Sequence, residues 1–459
     1  MSNDMDPESR LRRFARSFRR EATPPSNLAG SLMSHLGEPP RREGPFAMVP
    51  AVGMAGLVLV AGVVIAFGAW QLRNLGRPTG PPPVGLATAT ASASPTASPT
   101  ATPVPTPSAS PSATTNATPS GAVPSYVPGL AAMQMVGPRL GWAVGSRGIY
   151  ATTDGAHWSK QYSSGDAFVG VDFISSTTGW VVGAQSLLGT TDGGRSWHQL
   201  GEAQQWIRSV HFVSATNGWG VAGGNDPGEF HGILTSWTGG TLVVTGDGGQ
   251  SWSSLTSPAD VQSICFSDSA HGWLATASGT VYRSTDAGHT WNRSLQMAGT
   301  QQGLPTASRI ECAAPSAAWI EFAPGGAAAG HSPYVDYATT NAQSWRTVMA
   351  EPGTIGNQLP GVPAGPGSYP GAFSVVDPND AVFVGDTPPA NAASVMIATN
   401  GGATLKRTGS IPGPSETYDA AFISTTTGWV LEVNMNNQVV IDATTDGGYH
   451  WTQQLAVSR

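Results

Sequence analysis

The chain has 459 residues and a formal net charge of −7, with 11 % charged residues, 58 Gly and 37 Pro. The acidic excess concentrates in residues 126–459, which hold 23 acidic against 12 basic side chains. A field of that sign disfavours nucleic acid and anionic lipid as the principal ligand of this part.

In chain order, residues 1–45 form an Arg-rich tail with eight Arg, no Lys and six acidic residues. Leu11, Phe14, Ala15 and Phe18 fall at helical spacing, so a short basic amphipathic helix is expected there. Its arginines suit contact with anionic lipid or docking of a cytoplasmic protein. Phe46 to Trp70 carries no charge, and residues 46–72 read as one transmembrane signal-anchor helix. Eight Arg precede this span and only Arg73 and Arg77 follow it closely, so the N-terminus is expected in the cytoplasm and the bulk of the chain outside. Residues 73–125 are rich in Pro, Ser, Thr and Ala and read as a disordered extracytoplasmic stalk. From Pro78 to Tyr126 an extended chain reaches up to about 150 Å at about 3.1 Å per residue.

Residues 126–459 are organised by repeats. The octet Thr190-Thr191-Asp192-Gly193-Gly194-Arg195-Ser196-Trp197 returns at Thr245 to Trp252, Ser284 to Trp291 and Thr444 to Trp451. A copy one residue short runs from Thr152 to Trp158, and worn copies run from Thr339 to Trp345 and from Thr399 to Leu405. The acid or amide at each turn is Asp154, Asp192, Asp247, Asp286, Asn341, Asn400 or Asp446. A short carboxylate or amide accepts backbone N–H groups ahead of it and closes the turn, which assigns these residues a structural role. Upstream of five octets lies an alternating segment followed by Gly-Trp, as in Val171-Asp172-Phe173 with Gly179-Trp180; Ala318-Trp319 and Asp380-Ala381-Val382 are the degraded forms upstream of the worn copies. Each unit holds four short strands, expected in the second repeat at 171–175, 180–183, 187–191 and 197–200. Seven radially repeated units of this kind predict an all-β, seven-bladed β-propeller of four-stranded antiparallel blades.

The octet resembles the Asp box, or bacterial neuraminidase repeat. As a joint Gly-Trp and Asp-box repeat in seven copies, two of them degraded, it resembles more closely the photosystem II stability and assembly factor propellers and their non-photosynthetic bacterial relatives, from about Ala131 onward. That resemblance implies a propeller with an arginine patch; the tail and stalk are additions to the family pattern.

Cys265 and Cys312 lie in the first strands of adjacent repeats, eight and seven residues before Trp273 and Trp319. This parity places them on opposite sheet faces, where they can bridge or stay as two buried thiols. The excess length between Gly-Trp and octet falls in second-to-third loops, at 223–240 and 323–333, and the longest blade link is 351–370. All of these open on the face opposite the Asp boxes, the expected recognition face. Arg147, Arg208 and Arg309, with Trp206 as apolar anchor, are the candidate ligand-binding residues there; pairing of each arginine with a nearby carboxylate is the competing reading. No cofactor, metal or catalytic residue is assigned. Glu202, Asp226, Glu229 and Asp260 are the acids able to reach that face, yet no nucleophile elbow, phosphate loop or HExxH motif is present. The sequence therefore reads as a single-pass cell-membrane protein whose extracytoplasmic propeller binds an exported protein or peptide without catalysis, with an assembly factor as one form of that reading. A sialidase-like propeller that binds or hydrolyses surface glycans is one alternative, and transmembrane signalling through the tail is another.

Overall fold

The computed structural model describes residues 126–201, 206–224, 238–297, 306–325, 331–351, 360–386, 392–413 and 416–459. The tail, membrane span and stalk expected over 1–125 lie outside them, as do the middles of the long loops. Among the described residues no helix is long and apolar enough to cross a membrane.

Those residues form seven four-stranded antiparallel sheets, each built from four consecutive strands. The first strands are Ala132–Met135, Phe168–Phe173, Ile207–Phe212, Val261–Phe266, Ala307–Ala314, Tyr369–Val375 and Glu416–Phe422, and all seven contribute to the wall of one channel. The second blade's first strand ends at Phe173, short of the expected Ser175, because the Ser175 hydroxyl accepts the N–H groups of Thr177 and Thr178 and turns the chain. Its fourth strand is only His198–Gln199, since Trp197 leaves the ladder to pack edge-on against Phe173.

An innermost strand is a sheet edge, and its buried N–H and C=O groups need partners. Side chains of the preceding blade supply them. Gln134 accepts the Phe173 N–H at 2.5 Å and donates to the Phe173 carbonyl at 3.2 Å, as a ladder residue would. Asp172 accepts the Phe212 N–H at 2.6 Å, and the His211 ring nitrogen meets the Phe266 carbonyl at 2.7 Å. Glu311 accepts from Val375 N–H at 2.9 Å, and the Ser374 hydroxyl accepts from Phe422 N–H at 2.9 Å. Two seams depart from the pattern. Between blades 4 and 5 the residue in the clasp position is Cys265, which forms a disulfide with Cys312, Cα–Cα 5.8 Å. Between blades 7 and 1 the clasp position is Ala421, and Asp419 two residues earlier accepts the Met133 N–H at 2.8 Å instead.

A second layer of each seam explains the Gly-Trp pair. Trp142 stacks on Phe173, Trp180 on Phe212 and Trp219 on Phe266, with ring centroids 3.4, 3.5 and 3.8 Å apart. The other face of each phenylalanine covers a glycine of its own blade. A Cβ at Gly179, Gly218 or Gly272 would stand 2.3, 2.4 or 2.5 Å from that ring. Glycine is required there for space. Farther out, the indole N–H of Trp180, Trp219 and Trp429 donates to the carbonyl of Gly248, Ala287 and Gly155, each in the next blade's Asp-box turn.

The ring closes without strand exchange among the described residues, since the last sheet keeps its own four strands. Residues 128–131 instead extend the first blade: Ser146 and Arg147 donate to Pro128 and Gly129, and Ala131 donates to Val144. Trp158 completes the seam by donating to Gln454 at 2.9 Å.

Gly272→Ala should destabilise the domain by about 2 kcal/mol, the cost of overpacking a filled seam, while Gly246→Ala, with nothing within 4 Å of the added Cβ, should not. Urea titration of the two variants checks this. Reducing the disulfide, whose cysteines are 47 residues apart, should lower stability by about 4 kcal/mol if loop entropy dominates, read from melting with and without reductant.

Candidate ligand channel

The first strands enclose a channel of about 740 Å³, within the range of small-molecule and peptide-anchor sites. On blades 1 to 3 its wall mixes apolar Met133, Val169, Val171 and Val210 with Gln134, Asp172, Arg208 and His211; on blades 5 to 7 it carries Arg309, Glu311 and Asp419. At the level of Arg309, three residues before the clasp partner, several other blades present only Ala132, Gly170, Ser209 and Ala372. These small side chains leave the room that the channel occupies.

Arg309 spans this wall. Its guanidinium contacts Glu311 at 2.5 Å within blade 5, lies 5.2 Å from the Phe373 ring centroid of blade 6, and reaches Asp419 of blade 7 at 3.0 Å. Burial by itself would lower the arginine pKa, but Glu311 and Asp419 outweigh it and hold the group protonated. Burial pushes Asp419 upward, opposed by Arg309 and by the Met133 and Ala420 N–H groups. The buried cation thus has two carboxylate partners, the arrangement that repays desolvation.

Trp206 and Arg208 also line the channel. The Trp206 indole donates to the Gly183 carbonyl at 2.8 Å, and the Arg208 guanidinium lies 5.7 Å from the centroid of that indole. Gly224 permits this placement, because a Cβ there would stand 2.0 Å from Arg208 Nη2. Arg147 stands apart, exposed in the second-to-third turn of blade 1, with Nε 3.5 Å from the Ser458 carbonyl. The structure therefore brings Trp206, Arg208 and Arg309 to the channel wall and leaves Arg147 beside the C-terminal strand.

The Asp-box carboxylates serve their turns. Asp192 accepts from the Ser196 hydroxyl at 2.6 Å, the Ser196 N–H and the Thr190 hydroxyl, and these bonds hold its pKa at about 2. Asp247, Asp286 and Asp446 are held at about 2 in the same way, led by Ser251, Thr290 and His450. The His157 amide and ring keep Asp154 well below the usual range. Asn341 accepts from the Gln343 and Ser344 N–H groups, and Asn400 donates to Thr404. Asp260 accepts the Gly239 N–H at 2.6 Å; Glu202, Asp226 and Glu229 lie outside the described residues. Among the described residues no group of three His, Cys, Asp or Glu is placed to hold a metal ion.

Sequence reasoning missed the clasps and two buried carboxyl pairs, Glu321 with Asp336 and Glu432 with Asp442. The signal for the clasps is a polar residue directly before the first-strand aromatic, as in His211-Phe212. The signal for the pairs is an acid inside an otherwise apolar second strand, as in Trp319-Ile320-Glu321-Phe322.

Residues 150–309 match the profile of a family described as photosynthesis system II assembly factor YCF48. Similar solved structures include YCF48 bound to D1 peptide, 16 % identical over 69 % of this chain and 96 % of that one, TM-score 0.45. YCF48 from Cyanidioschyzon merolae is 14 % identical over 63 % and 84 %, TM-score 0.42. An ancestral GH74 enzyme is 15 % identical over 74 % of this chain and 47 % of its own, TM-score 0.43. A search of curated proteins gave no match. The chain is an Asp-box repeat β-propeller that resembles the photosystem II assembly factor propellers.

Proposed function

We propose that this protein is a membrane-anchored, non-catalytic binding propeller whose channel mouth, on the face opposite the Asp boxes, receives an exported protein or peptide. The observation that carries this reading is the commitment of the channel carboxylates. Asp172 and Glu311 each accept a backbone N–H of the next blade, and Asp377 accepts from Asn379 and Asp380. Asp419 is held by Met133 and Arg309. A glycosidase needs one carboxyl as proton donor and a second as nucleophile or base, both facing the substrate. Carboxylates spent on holding the ring and its turns are unsuited to either role, whereas a channel lined by both apolar and charged side chains suits a chain of mixed side chains. The placement outside the cytoplasm rests on the charge asymmetry around residues 46–72 and accords with the disulfide, a bond that oxidising compartments favour.

Purified full-length protein in detergent should bind members of an immobilised peptide array and leave fluorogenic glycosides unhydrolysed. Ser209→Trp, which fills the channel from a half-buried wall position, should reduce that binding at least tenfold with circular dichroism unchanged. Glycoside turnover, or peptide binding indifferent to Ser209→Trp, would contradict the reading.

A further inference from the structure

Two buried carboxyl pairs flank the same blade. On one side Glu321 and Asp336 are cross-strand partners in blade 5, 3 % and 1 % exposed. They point toward blade 6, because their neighbours of the same parity, Trp319 and Ala338, pack against Phe373, Phe383 and Met396 of that blade. On the other side Glu432 and Asp442 of blade 7 are 2 % and 8 % exposed. They lie on the face of Val430, which packs against Val382, Val384 and Val395 of blade 6. Glu321 and Asp336 stand directly opposite each other across the ladder, Glu432 and Asp442 are diagonal neighbours on one sheet face, and among the described residues neither oxygen of Asp336 receives a donor from elsewhere. Two carboxylates cannot share a dry site as anions; the contact is attractive only when one proton is held between them.

Burial favours keeping a proton in each pair; at the first it is opposed by the charge of Arg309, which Glu311 and Asp419 partly neutralise. Around the first stand Arg309, cross-strand from Glu321 and engaged by Glu311 and Asp419, and Tyr334, whose hydroxyl donates to the Gly367 carbonyl at 2.8 Å. Glu351 pairs with Tyr334 and contacts His331, and Arg407 binds the carbonyls of Gly365 and Pro366. Around the second stand Asp386 of blade 6 and Thr417, cross-strand from Glu432; Lys406 is turned away over the Tyr449 ring. Burial raises Asp336 and Glu321, and with Asp442 beside it pushes Glu432 up to about 10.

Blade 6 is also the blade with the weakest repeat signature. Asn400 stands for the Asp of its box and Leu405 for the Trp, and Val382 takes the place of the Gly-Trp indole at its seam with blade 7. We infer that blade 6 is latched on both sides by shared protons, so that alkaline conditions loosen this blade, and with it the 360–368 link that leads into it, before the rest of the ring. Below about pH 3 the carboxyls are protonated whether the seam is closed or open, and the latch is complete. As pH rises, carboxyls exposed by opening ionise while the buried pairs keep their protons. Opening therefore gains up to roughly tenfold per pH unit for each proton lost, until the pairs themselves titrate.

Hydrogen exchange of the full chain between pH 5 and pH 9, corrected for intrinsic exchange, tests the latch. Peptides from 369–412 should lose protection at least tenfold more than peptides from 261–296 in blade 4. Asp336→Asn with Glu432→Gln keeps an N–H donor in each pair without an ionisable proton, and should remove that excess. Equal pH dependence in blades 4 and 6 of the wild type would overturn the proposal by itself, as would an excess that survives in a folded double variant.

Discussion

The backbone edge of the innermost strand is the constraint on which the ring depends. Each of seven sheets presents one unpaired edge toward a narrow channel where water cannot reach every amide. A side chain from the preceding blade answers it in the same position at five seams, with Gln, Asp, His, Glu or Ser according to the blade. The disulfide belongs to the same series: Cys265 occupies the clasp position and joins its neighbour covalently. At closure Ala421 has no polar group, and Asp419 takes over one pleat away, bringing Arg309 and the fifth blade into the join.

This arrangement explains why the Asp box and Gly-Trp travel together in the sequence. The Asp fixes a turn whose carbonyl receives the preceding blade's indole N–H, as Gly248 receives Trp180. The glycine makes room for the phenylalanine on which the preceding blade's indole lies. Gly and Trp thus serve the two different seams of one blade. Blade 6 has lost both the Gly-Trp pair and the box tryptophan, and carboxyl pairs lie at its two interfaces.

Blade number, strand order and the face of the Asp boxes were legible because Gly, Asp and Trp recur at fixed spacing and each has a local reason to be there. The clasps were harder to read, since Gln134, Asp172, His211 and Ser374 share a position but no chemistry. Arg208 and Arg309 could be placed near the channel from their position in first strands, whereas the distance between Arg147 and that wall depends on how far out the second-to-third turn projects. The partnership of Arg309 with Asp419 joins residues 110 apart, across an intervening blade. No local pattern encodes that contact. The carboxyl pairs were visible only as acids in apolar strands, and their shared face emerges from cross-strand register.

The most direct test of the clasp account is amide exchange at Phe422 in Ser374→Ala, a change that removes one hydroxyl and leaves the Arg309 network and the disulfide in place. An orphaned buried N–H costs about 1–3 kcal/mol, so the account predicts exchange at Phe422 faster by roughly tenfold, with amides of the same strand following. Unchanged exchange at Phe422 in the folded variant would contradict it.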